Sequence, residues 1–241
     1  MLIYLTGLSE PRIRKKIITT KQLSIFLSSV TLIIFSLSAI YAASYDFGKL
    51  KNLANQRYGQ EAQQNVQELQ MLVQSSQAAT DAEKLKKIND FFNQKITFMD
   101  DFEVWGKSDY WATPLESLGR HAGDCEDFTI AKYIFLKALN IDNNRLRLTY
   151  VRAYINDDGR HTMVAHMVLS YYQTPQSEPL ILDNLVSDIM PASSRKDLSP
   201  IFSFNDKGLW VGSNSNPKAE SQSNLSRWRD VLSRIKADGI E

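Results

Sequence analysis

Residues 110–141 read YWATPLESLGRHAGDCEDFTIAKYIFLKALNI, and the ten at their centre, GDCEDFTIAK (123–132), hold the only cysteine of the chain. Asp124 and Glu126 flank Cys125, and Asp127 follows. Negative charge beside a thiol raises its pKa and weakens it as a nucleophile, so these neighbours need a reason. Downstream, Phe128, Ala131, Ile134, Phe135, Ala138 and Leu139 recur at helical spacing. The pattern predicts a helix that starts at the cysteine and ends near Asn140. Its free N–H groups and positive dipole end stabilise a thiolate and offset part of the carboxylate penalty. There the backbone N–H of Cys125 is also placed to donate to an oxyanion.

Outward from this helix the chain falls into two halves. From Tyr45 to about Ser76, Val66, Leu69, Leu72 and Val73 mark an amphipathic helix. Thr80-Asp-Ala-Glu83 is a capping box, with Leu85, Ile88, Phe91 and Phe92 on one face of a helix ending near Gln94. Residues 100–124 lack periodicity and read as an ordered loop with a short helix around Leu115–Leu118. After the cysteine helix come strand-like runs at Leu146–Tyr154, Thr162–Tyr172 and Pro179–Asp183, the first two joined by the Asn156–Gly159 turn. A second hairpin joins Ile201–Phe204 to Leu209–Val211. Residues 213–224 form a polar linker, and Leu225, Trp228, Leu232 and Ile235 stripe a closing helix. Helices followed by an antiparallel sheet make an α+β fold.

The N-terminus sets the compartment. Arg12, Arg14, Lys15, Lys16 and Lys21 precede an uncharged run from Leu23 to Ala42. A basic region followed by an apolar one is the pattern of a secretory signal, and the run is about as long as a membrane span requires. The small-residue site near Ala39, Ala42 and Ala43 is imperfect, because Ile40 or Tyr41 falls at the −3 position. A cleaved signal and an uncleaved anchor with its basic end in the cytoplasm both fit. Residues 1–43 are thus signal or anchor, and 44–241 are a single exported domain, periplasmic in a bacterium. Any contact with membrane is confined to the uncleaved N-terminal segment. The 241 residues carry a formal net charge of +1, which gives no electrostatic footprint for nucleic acid. One cysteine excludes an intramolecular disulfide and a multi-cysteine metal site.

A catalytic thiol needs a base, and the base needs a group to orient it. His121, His161 and His166 are the three histidines. His166 lies inside the apolar strand TMVAHMVLSYY, where a buried imidazole must hydrogen-bond something. Asp183 ends the run LILD seventeen residues later. Cysteine at a helix start, histidine on a strand and aspartate on the next strand suit acyl-transfer chemistry. The residue types alone leave a purely structural role for all three equally open.

The stretch 110–141, with VAHMVL (164–169) and ILDNL (181–185), closely resembles the bacterial transglutaminase-like cysteine proteinases, and within them the LapG-type periplasmic proteases. The likeness covers about residues 84–212. It implies a papain-like, transglutaminase-like fold with Cys125 as nucleophile, His166 as general base and Asp183 as orienting acid. It also implies calcium beside the cysteine, with Asp124 and Glu126 at the ligand positions and Asp127 as a further ligand. Ca²⁺ takes carboxylate and carbonyl oxygens, and it reverses the effect of the acids on the thiol. Without a metal, the same acids cap the helix. The implied substrate is the N-terminal region of a large surface adhesin, and the implied inhibitor is the periplasmic domain of an inner-membrane cyclic-di-GMP receptor. A transglutaminase on the same fold and a non-catalytic binding module are the alternatives.

Trp111 reads as core, with a second role as an oxyanion donor through its indole N–H. Trp105 reads as a candidate for the substrate groove. His121 reads as a loop residue, His161 as a turn residue, and Trp210 as sheet core. Lys86, Lys87, Arg227 and Arg229 read as solvated faces.

Overall fold

The computed structural model describes residues 45–157, 160–211 and 226–240. The run Leu23–Ala42, the linker 213–224 and the tip of the turn at 158–159 lie outside the described residues. No helix among those described is long and apolar enough to cross a membrane.

Helix α1 (Phe47–Tyr58) begins at Asp46, whose side chain accepts from the Lys49 N–H. Its periodicity runs on into α2 (Gln60–Ser75), yet the two are separate helices. The break sits at Gly59, whose φ of 88° lies in the left-handed region that glycine alone enters at no steric cost. A reading of one helix to Ser76 therefore misses a hairpin. Helix α3 (Asp81–Lys95) carries the expected Thr80–Glu83 capping box and buries Leu85, Ile88, Phe91 and Phe92.

The segment before the cysteine is more ordered than its sequence suggests. Strand β1 (Thr97–Phe98) pairs in parallel with β2 (Ala122–Gly123). Between them lie α4 (Asp101–Trp105) and α5 (Pro114–Arg120). Helix α5 has its own capping box, Thr113 with Glu116, and Pro114 in its first turn. His121 ends it at φ 55°, and its ring lies 3.4 Å from Asn65 Nδ2. The β1–β2 pairing brings the chain back to Gly123, one residue before the cap of α6 (Cys125–Ala138).

Helix α6 is the spine of the molecule. Phe128, Ile130, Ala131, Ile134, Phe135 and Leu136 are all buried on it, so apolar residues point in nearly every direction, as in a core helix. It packs against α3 on one side and β4 on the other. The sheet has six strands in the order β6-β5-β4-β3-β7-β8. They are β3 (Leu146–Asp157), β4 (Arg160–Tyr172), β5 (Pro179–Leu182), β6 (Met190–Pro191), β7 (Leu198–Phe204) and β8 (Leu209–Val211). All pairings are antiparallel, with Val151 opposite His166 and Leu169 opposite Leu182. The expected strands and both hairpins are present.

One face of the sheet carries Leu148, Met167, Leu169 and Phe204 into the helical core. The closing helix α7 (Ser226–Ala237) lays Trp228 against Phe204, with ring centroids 5.6 Å apart. Each large apolar side chain buried there contributes about 1.5–3 kcal/mol. The other face holds a smaller cluster around Val151, Val168 and Ile181. Trp210 is buried, as expected.

Candidate active site

Cys125 is the first residue of α6, and Asp124 caps it by accepting from the Glu126 N–H at 3.2 Å. The thiol donates to Glu126 Oε2 at 2.9 Å. It also receives the backbone N–H of Met167, the residue after His166. One helical turn on, Thr129 Oγ1 donates to the Met167 carbonyl at 3.1 Å. The start of α6 is thus tied to the middle of β4. Burial raises the thiol pKa well above its usual value, the Glu126 and Asp124 charges raise it further, and the Met167 N–H pulls it partly back.

His166 and Asp183 meet where β4 and β5 run side by side. The imidazole Nε2 lies 2.8 Å from Asp183 Oδ1, and both groups are buried. With Nε2 spent on the acid, Nδ1 is the ring nitrogen left for proton exchange. Asp183 is held from several sides. Its Oδ1 accepts from the Leu185 N–H, its Oδ2 accepts from Arg195 Nη2 at 2.7 Å, and its carbonyl accepts from Asn93 on α3. Burial alone pushes this carboxyl up, but the hydrogen bond and charge of His166 and the Arg195 bond outweigh it and hold it at about 2.

Arg195, Asn93 and Lys132 escape sequence reasoning. Arg195 sits in an aperiodic stretch, and its only local signal is Asp197, which clamps the guanidinium through Nε and Nη2. Lys132 lies inside α6, just 1% exposed, and no carboxylate pairs with it among the described residues. Burial lowers its ammonium to about 7, although the Asp183 charge pulls the other way.

The acids around the cysteine fall into two overlapping groups. Asp124, Cys125 and Glu126 can offer ligand atoms within 4.8 Å of one another, and so can Asp101, Asp124 and Asp127. Asp101, at the start of α4, was hidden in a segment that reads as loop. Asp127 Oδ1 accepts from the Ala112 N–H at 2.7 Å, and one Asp101 oxygen accepts from the Tyr110 N–H. Their other oxygens, Asp127 Oδ2 and Asp101 Oδ1, are buried with no hydrogen-bond partner among the described residues. No Lys or Arg forms an ion pair with any of these four acids among the described residues. Burial and mutual repulsion therefore raise Asp124 and Asp127 far above the carboxylate range, and raise Asp101 less. A cluster of carboxylates within 4.8 Å of one another, two of them with a buried partnerless oxygen, fits a hard cation with oxygen ligands.

Trp111 is core, stacked on Phe204 with centroids 6.0 Å apart, and its indole N–H has no acceptor among the described residues. Trp105 lies against Tyr110 and Arg120. Lys86 and Arg227 make surface ion pairs with Asp90 and Asp109, as solvated residues do.

The sequence profile of the bacterial transglutaminase-like cysteine proteinases matches residues 51–212. No curated protein sequence matches the chain. Among solved structures, LapG of Legionella pneumophila is 39% identical with a TM-score of 0.65, covering 78% of this chain and 97% of that one. Its EGTA-treated form gives 39% and 0.66 over the same shares. Its calcium-bound form gives 38% and 0.64, covering 78% of this chain and 98% of that one. The chain belongs to the bacterial transglutaminase-like cysteine proteinases, a family of cysteine peptidases, and is of the LapG type within it.

Proposed function

We propose that the chain is an exported, calcium-dependent cysteine endoprotease with Cys125 as nucleophile, His166 as general base and Asp183 as orienting acid. The observation that carries this reading is the buried His166–Asp183 pair at 2.8 Å, beside a strand whose Met167 N–H meets the Cys125 thiol. Nδ1 of His166 takes the thiol proton, and the thiolate attacks the peptide carbonyl. The Cys125 N–H and the Trp111 indole N–H donate to the oxyanion. His166 then protonates the leaving amine, and water hydrolyses the thioester.

Asp101, Asp124 and Asp127 would hold the metal, with Glu126 at its edge. Bound there, Ca²⁺ supplies positive charge that neutralises the acidic cluster. Glu126 matters separately, because its carboxylate now holds the thiol proton that His166 must take. Drawing Glu126 away from the sulfur frees the thiol for the base. Calcium binding is supported by the fit of the donor set and by the calcium-bound form of Legionella LapG.

The substrate is the N-terminal region of a large surface adhesin, cut to release it from the cell surface and disperse biofilm. The inhibitor is the periplasmic domain of a membrane cyclic-di-GMP receptor. Both rest on the resemblance of residues 110–141, 164–169 and 181–185 to the LapG-type proteases. The test mixes the protein with a co-encoded adhesin's N-terminal region, with and without chelator. Cleavage that needs calcium and disappears in Cys125→Ala is expected. Cross-linking to a lysine-bearing acceptor in place of cleavage would overturn the protease in favour of a transglutaminase.

A further inference from the structure

On the outer face of the sheet, away from α6, lies a cavity of about 370 Å³. Arg147, Thr149, Ser170, Tyr172, Arg195 and Ser203 line its polar part, and the exposed Glu178 is the one carboxylate in the lining. Val151, Val168 and Ile181, the small outer cluster, line its apolar part.

The two arginines make this cavity unusual. Arg147 is 4% exposed and Arg195 3%. Among the described residues no carboxylate pairs with Arg147. Its guanidinium lies 4.1 Å from the Trp210 ring centroid and 4.3 Å from that of Tyr172. Those rings favour the cation and the Tyr172 hydroxyl hydrogen-bonds it, but Arg147 Nε has no partner. Arg195 spends Nε and Nη2 on Asp197 and Asp183, while its Nη1 is also without a partner. A guanidinium stays charged at any physiological pH, so it cannot escape the cost of burial by losing a proton. Asp183 and Asp197 offset that cost for Arg195, but Arg147 has no carboxylate beside it, and an anion in the cavity would relieve its burial.

The remaining lining says what kind of anion. Thr149 Oγ1 and Ser170 Oγ are 2.7 Å apart, and the Arg147 carbonyl is only a distant second acceptor for Thr149 at 3.5 Å, so with Thr149 donating to Ser170 the Ser170 hydroxyl is left to donate into the cavity. The apolar wall suits an uncharged hydrocarbon body. We propose that this cavity binds a small organic carboxylate, its oxygens held by Arg147 and Arg195 and its apolar part against Val151, Val168 and Ile181. The site is separate from the peptidase chemistry, though Arg195 touches both: the guanidinium that faces the cavity also holds Asp183.

Calorimetric titration of the full chain with benzoate tests this, with uncharged benzamide and inorganic phosphate as controls. Benzoate is expected to bind saturably, with benzamide and phosphate at least tenfold weaker. In Arg147→Met the benzoate Kd should rise by tenfold or more, with the fold checked by circular dichroism. Ser170→Ala keeps both arginines and should weaken binding several-fold, which covers the case in which Arg147→Met does not fold. Absence of benzoate binding, equal binding of benzamide, phosphate binding as tight as benzoate, or benzoate binding unchanged in both variants would overturn the proposal.

Discussion

Gly123 lies so close to Asp127 that a Cβ built on the glycine would sit 2.6 Å from Asp127 Oδ2 and 2.9 Å from its Cβ. No real Cβ tolerates such contacts. The glycine is required here by the carboxylate it leaves room for, and not by its own backbone, whose φ is not positive. Gly123→Ala should push the Asp127 side chain off the Ala112 N–H and out of the acidic cluster. Overpacking and a broken buried hydrogen bond together predict a loss of about 1–3 kcal/mol in urea unfolding. Calcium affinity should fall at least tenfold by titration. Unchanged affinity would place the metal away from Asp127.

Asp183 predicts an acid-labile stability. Its folded pKa of about 2 lies below the ordinary carboxylate value of 3.8. A depressed carboxylate contributes stability that is present above the unfolded pKa and is lost as pH falls through the folded one. The window is therefore about pH 4 to 2, and the size is on the order of 2 kcal/mol. Asp183→Asn should remove this part of the acid leg of a stability–pH curve. At neutral pH the variant leaves Arg195 with only Asp197 and should be less stable than the wild type. On the proposed mechanism, in which Asp183 orients the His166 imidazole, its peptidase activity should drop by about 10²-fold or more.

The stretch around Cys125 was the most legible part of the chain. A core helix of one long apolar period, a capping box at Thr80 and alternating strands each declared themselves locally. So did the need of His166 for a partner, because a histidine inside a buried strand has to hydrogen-bond something, and Asp183 meets it. What stayed hidden depends on the third dimension. Gly59 breaks a helix whose apolar stripe runs straight through it. Asp101 joins the acids at the cysteine because the β1–β2 pairing brings residues 97–98 beside 122–123, a contact that no local pattern encodes. Arg195 reaches Asp183 from a stretch with no periodicity at all. Residues 100–124 read as loop because their order comes from hydrogen bonds to side chains such as Asp101, Asp127 and Arg234.

The Glu126 carboxylate adds to burial in holding down the reactivity of the Cys125 thiol. Its raised pKa has burial as the first cause and the Glu126 charge as the second. Glu126→Gln removes the second and leaves the first. In chelator, alkylation of Cys125 by iodoacetamide at pH 8 should run several-fold faster in this variant than in the wild type, because more of the sulfur is thiolate. The wild type should gain a comparable acceleration on adding calcium. Equal rates in all conditions would mean that burial alone controls the thiol.

Lys132 is a buried cation with a stability cost. Its folded pKa of about 7 lies below the ordinary 10.5, with burial as the largest cause. Below pH 7 both folded and unfolded chains carry the proton, and the folded state bears the full cost of a desolvated ammonium. Between about pH 7 and 10.5 the folded chain binds fewer protons than the unfolded one, so stability rises with pH across that window. Lys132→Met keeps a similar length of apolar chain and removes the charge. It should stabilise the fold at pH 6 by on the order of 1–4 kcal/mol, with the gain shrinking toward pH 10. Urea midpoints at pH 6 and pH 9 measure the difference. A variant less stable than wild type at pH 6 would mean that attraction to Asp183 outweighs desolvation, and would make Lys132 a member of the His166–Asp183–Arg195 charge network.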